Sequence, residues 1–177
     1  MGGAADETLV AEIRALLNRT AERLAEAGVR DEDLAEYVPA KRVLGIERKA
    51  RMQPLGRAWR LGVLLLERDG TLRAAGGTTR AVEPGHGGHM AVSVEQRREQ
   101  RAAAFRGPFE RGATVHFDAP VIPLDADALR DAPGPLFVHD GRALVRWSSM
   151  LGADAGIPLE AYLAERADLL ISPPEGA

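Results

Sequence analysis

Trp59-Arg60-Leu61-Gly62-Val63-Leu64-Leu65-Leu66-Glu67-Arg68-Asp69-Gly70-Thr71-Leu72-Arg73-Ala74-Ala75-Gly76-Gly77-Thr78-Thr79-Arg80 sets an Asp-Gly step between two strand-like runs. Asp-Gly in that setting predicts a β-hairpin, because a two-residue type I′ turn needs positive φ at both central residues. In that form Trp59 lies opposite Arg80, Leu61 opposite Thr78, Val63 opposite Gly76 and Leu65 opposite Ala74. Strand side chains alternate, so these eight residues are expected on one face. Gly62 and Gly77 would meet on the other, leaving bare backbone for close packing.

The expected face is apolar at the turn and polar at its far end, where Trp59, Thr78 and Arg80 gather. An arginine among leucines must be paired, solvated or stacked, since an unpaired buried charge costs several kcal/mol. Trp59 supplies a stacking surface. The remaining guanidinium donors call for a planar acceptor, either a carboxylate of the acidic chain ends or an anionic ligand. Small residues at Ala74, Gly76 and Thr78 leave room for a ligand or for a helix.

Directly after this ribbon comes Glu83-Pro84-Gly85-His86-Gly87-Gly88-His89. Loops carried on a rigid sheet often hold binding residues, and His86 and His89 are read as closing over the anion. Chelation by this pair needs a third ligand from His116, Glu83 or Glu110. No metal site and no cofactor is assigned on that footing.

A second step, Asp140-Gly141, joins Leu136–His139 to Arg142–Trp147 as a further hairpin. Other strands are expected near Arg42–Met52, Trp59–Leu66, Thr71–Val82 and Ala113–Asp118, with Gln53–Ala58 as a loop. Val10, Ile13, Leu17 and Leu24 form a helical stripe from about Glu7 to Ala27. Asp31–Tyr37 reads as a short helical turn with Asp31 as its N-cap. Ser93 and Gln96 suggest a capping box for a helix to Arg106, and Pro158–Leu170 closes the chain as a helix. The expectation is a single α+β domain over 1–177, with residues 1–5 and 172–177 frayed. Its core would be a mainly antiparallel curved sheet of about six strands, packed by N-terminal, middle and C-terminal helices. A small β-barrel with flanking helices is the alternative.

Composition narrows function by exclusion. The 177 residues include no cysteine, which excludes disulfides, thiolate metal sites and cysteine nucleophiles. Net charge is −3 and the pI near 5.8, unlike a general nucleic-acid binder. Arginine supplies all but two of the 23 basic residues, the drift expected of a high-GC bacterial genome. No leader pattern is seen near Met1, and the longest apolar run, Val63–Leu66, is far too short for a membrane span. A cytoplasmic protein without membrane or nucleic-acid partners is expected.

Charge is segregated. Residues 41–117 carry 15 bases against seven acids, while the flanking segments are acidic. Acidic ends folding over a basic sheet would account for this, and so would a basic middle that holds an anion. Small-anion binding, of a carboxylate or phosphate, by Trp59, Thr78, Arg80, His86 and His89 is the leading reading. A homodimeric interaction or structural protein is the second. The third is an acid–base enzyme using His86 or His89 with Glu83 or Glu110, with or without a metal.

Overall fold

The structure, a computed structural model, describes residues 3–43, 45–84, 92–130, 132–148 and 156–174. In chain order the elements are α1 (Gly3–Glu26), β1 (Glu32–Val38), β2 (Lys41–Val43), β3 (Ile46–Arg48), β4 (Arg51–Leu61), β5 (Leu64–Glu67), β6 (Leu72–Ala74) and β7 (Gly77–Arg80). Then follow α2 (Val92–Phe105), β8 (Thr114–Phe117), α3 (Ala126–Leu129), β9 (Leu136–His139), β10 (Arg142–Val145), β11 (Ile157–Pro158) and α4 (Leu159–Ile171). The class is α+β, with four helices among the described residues. Six strands hydrogen-bond in the order β6-β5-β4-β1-β8-β7, and β9 to β11 form a separate three-stranded sheet. The sheet is mixed: β4–β1, β5–β6 and β7–β8 pair antiparallel as expected, whereas β1 runs parallel to β8.

The two Asp-Gly steps differ. At Asp140-Gly141 both residues have positive φ, 48° and 68°, and His139 pairs with Arg142, so the two-residue hairpin forms as expected. At Asp69-Gly70 only the glycine is left-handed, with φ 84°. Gly70 N–H donates to Glu67 O, and Glu67 N–H to Thr71 O. Arg68, Asp69 and Gly70 therefore make a three-residue loop, a turn followed by a left-handed glycine. The Asp69 carboxylate accepts from Thr71 N–H at 2.9 Å, which holds it in this form. One added loop residue shifts every pair, so Leu64, not Leu65, faces Ala74.

Two further departures follow along the same ribbon. The run read as one strand from Trp59 to Leu66 bends at Gly62, whose φ of 65° suits glycine, so Leu61 ends β4 while Leu64 begins β5. The run from Thr71 to Val82 also divides, and its second part, β7, pairs with β8. Arg80 consequently faces Thr114, not Trp59, and Gly77 faces Phe117, not Gly62. Within the Asp31–Tyr37 segment the chain enters strand β1 at Glu32 and makes no helical turn, and Gln53–Ala58 belongs to β4 rather than to a loop.

The chain gathers into two compact units: Met1–Arg30, Trp59–Ala75 and Pro120–Ala177 in the first, Asp31–Ala58 and Gly76–Ala119 in the second. In the first, Ile13, Leu17, Ala21 and Leu24 of α1 pack with Leu159, Tyr162, Leu163 and Ala167 of α4 around Trp59, Leu61, Leu64 and Leu66. The phenol of Tyr162 donates to Leu61 O and accepts from Val63 N–H, each at 3.0 Å, bracketing the Gly62 bend. In the second unit, Ala35, Met52, Val115 and Phe117 pack with Ala103 and Ala104 of α2 and with Phe109.

Candidate functional site

Trp59 is buried, and its indole N–H donates to Val29 O at 2.9 Å. A guanidinium does stack on it, but that of Arg68, 5.0 Å from the ring centroid. The expected Trp59–Arg80 pair is therefore not formed, because the three-residue loop and the break after Ala74 undo the assumed register. His86 and His89 lie outside the described residues. Of the five residues singled out, Thr78 and Arg80 stand together. They alternate along β7 on one face, both exposed, and Arg80 makes no ion pair or side-chain hydrogen bond among the described residues.

Behind Thr78 lies a hydrogen-bonded chain through a buried histidine. Thr78 and His116 are direct cross-strand partners on β7 and β8, and Thr78 Oγ1 lies 3.0 Å from His116 Nδ1. In the parallel β1–β8 ladder His116 pairs with Leu34, which puts Glu32, two residues earlier on β1, on the same face. His116 Nε2 meets Glu32 Oε2 at 2.6 Å. His116 is 1% exposed, so its ring nitrogens depend on these two partners. Of this chain only Thr78 was among the predicted binding residues. A histidine between Val115 and Phe117 reads as strand core, and Glu32 is 84 residues away.

Arg57 organises the neighbouring acids of β1. Its Nε donates to Asp31 at 2.6 Å and its Nη1 to Asp33 at 2.7 Å, while Nη2 reaches the Asp31 carbonyl. The hydrogen bond to Asp31 holds the guanidinium even more firmly protonated than usual, despite partial burial. These charges are consumed by one another, and the cluster is a structural tie between β1 and β4.

The opposite balance holds at the β2–β3 ribbon. A pocket of about 450 Å³ is lined by Val38, Pro39, Lys41, Arg48, Lys49, Arg51 and Gln53. Its walls carry four cations and no carboxylate, and include both lysines of the chain. Lys41 and Arg48 are direct cross-strand partners, an arrangement of like charges that destabilises a ribbon unless something neutralises it. Arg42 and Glu47, the next pair, are complementary. Arg51 and Gln53 alternate on β4 and so present to the same side. None of the four lining cations makes an ion pair among the described residues.

Among the described residues, no cluster of three or more His, Asp and Glu is arranged to hold a metal, and no helix is long and apolar enough to cross a membrane. No protein-family model, no curated protein and no solved structure matches the chain.

Proposed function

We propose that the protein binds a small anion, a carboxylate or phosphate compound, in the pocket between the β2–β3 ribbon and β4. The observation that carries this reading is the facing pair Lys41 and Arg48, set in a concave site with Lys49 and Arg51 and with no acid in its lining. At roughly 5 Å, two such charges repel by about 1 kcal/mol in a water-like medium, and by more where water is excluded. An anion bridging them converts that repulsion into attraction. Gln53 adds a neutral donor and acceptor at the pocket wall. A volume of about 450 Å³ lies within the range typical of small-molecule sites.

Thermal melts with citrate and with inorganic pyrophosphate, at constant ionic strength, test the reading. Binding at one hundred times the Kd stabilises by about 2.7 kcal/mol, so the melting temperature of the wild type should rise by several degrees. Lys41→Gln removes the like-charge pair. It should be at least as stable as the wild type without anion and should lose the anion-dependent shift. Equal shifts in wild type and variant, or none with either anion, would overturn the proposal.

A further inference from the structure

We infer that Thr78 is a nucleophile that accepts the acyl group of small anionic esters, activated by His116 and Glu32, with Arg80 holding the substrate's charge. The inference is independent of the basic pocket and rests on geometry within β1, β7 and β8. An ionised Glu32 can only accept, so His116 Nε2 carries the proton that spans their 2.6 Å contact. In the neutral ring this leaves Nδ1 as the acceptor, and the Thr78 hydroxyl donates to it across 3.0 Å. The order hydroxyl, imidazole, carboxylate is that of an activated-nucleophile triad, which is recognised by geometry and roles rather than by sequence position. Here the ring is turned, with Nδ1 towards the hydroxyl and Nε2 towards the acid.

Exposure supports the assignment. The imidazole is almost fully buried, which keeps its orientation fixed, whereas Thr78 is exposed. Arg80 lies two residues on along the same face, about 6.6 Å away by strand geometry. It makes no ion pair among the described residues and can hold a carboxylate or phosphate on the acyl portion of a substrate. Thr78 Oγ1 attacks the ester carbonyl carbon while its proton passes to His116 Nδ1. The bond to the alcohol oxygen breaks, and that oxygen takes the proton from Nδ1. Water then attacks the acyl-threonine, yields a proton to Nδ1, and Thr78 Oγ1 leaves with it. Glu32 orients the ring and stabilises its charged form throughout.

Hydrolysis of p-nitrophenyl hemisuccinate, compared with the neutral p-nitrophenyl acetate, tests this. The full-length protein should release p-nitrophenolate above the buffer rate, and Thr78→Val should lower kcat/KM for both esters by about a hundredfold or more. Thr78→Ser should restore turnover, and Arg80→Gln should raise KM for the hemisuccinate while leaving the acetate unaffected. Mass spectrometry after treatment with a fluorophosphonate should place the adduct on the Thr78 peptide. Thr78→Val leaves the buried His116 Nδ1 without its donor, so its melting temperature is expected to fall by a few degrees, and rates are compared at a temperature where melting curves show both proteins folded. A wild-type rate no higher than buffer, an unchanged rate in Thr78→Val, or an adduct only elsewhere would overturn the inference.

Discussion

The contact between Tyr162 and the Gly62 bend lends itself to a quantitative test by paired substitution. The phenol oxygen takes up Leu61 O and Val63 N–H, each at 3.0 Å, and Tyr162 is 1% exposed. In Tyr162→Phe both backbone groups lose their partner in a largely dry setting. At about 1–3 kcal/mol for each orphaned group, with partial access of water to Val63, the expected loss is about 3 kcal/mol. For a chain of this length that is a fall of roughly 6–12 °C in melting temperature. Gly62→Ala should cost more. A Cβ there would lie 2.3 Å from the Tyr162 hydroxyl, forcing it off both partners, and a φ of 65° adds about 1–2 kcal/mol of strain for alanine. The ring carbon Cζ is 3.4 Å away, an acceptable contact, so in the double variant the clash is gone. The hydrogen bonds are then lost once rather than twice. The double variant should therefore be less damaged than the sum of the singles by about 2–3 kcal/mol. Guanidinium unfolding of the four proteins, with m values compared, measures this. Additivity within about 0.5 kcal/mol would refute the view that one hydroxyl ties α4 to the bend.

Two further outcomes concern charged groups. Arg57→Met should take from the Asp31 carboxylate its Arg57 partner, at a side chain only 8% exposed. Arg57 itself is 43% exposed, so solvent screening brings the expected loss below that of a fully buried pair, to about 2 kcal/mol, with partial recovery in Arg57→Met/Asp31→Asn by urea unfolding. Asp69 has its pKa lowered from the ordinary 3.8, first by the Thr71 backbone N–H and then by the Thr71 hydroxyl. A depressed carboxylate stabilises the fold fully above the unfolded value and loses that contribution as pH falls through the folded one. The stability gap between wild type and Asp69→Ala should thus be constant above about pH 4 and shrink below it in acid titrations followed by circular dichroism.

What could be read from the sequence divides along physical lines. The helices were legible because their apolar spacing is local: the stripe Val10, Ile13, Leu17 and Leu24 is buried as expected. The two Asp-Gly steps show the limit of a dipeptide signal. At 140–141 both residues adopt positive φ, whereas Asp69 does not, and its carboxylate instead ties down Thr71. The same two letters thus close loops of two and three residues, and a single extra residue exchanges the faces of a strand. Strand β1 was misread as helical because Asp31, Glu32 and Asp33 resemble a helix start. Their actual partners, Arg57 and His116, come from distant parts of the chain. The cation site was partly visible, since Lys41 and Lys49 are the sole lysines of an arginine-rich chain. Their convergence needed the Ala40-to-Arg51 stretch to fold back on itself, which the expectation of one long strand from Arg42 to Met52 concealed.

The parallel ladder between β1 and β8 also bears on biosynthesis. Asp33, Leu34 and Ala35 find partners in β4 about 20 residues later, yet their other side waits for Val115, His116 and Phe117. While the polypeptide is being made, that flank of β1 is an unpaired template of backbone donors and acceptors, open to pairing with a neighbouring nascent chain. Slowing or pausing translation between residues 38 and 114 lengthens this vulnerable interval. The yield of soluble material should therefore depend on how fast that central stretch is synthesised.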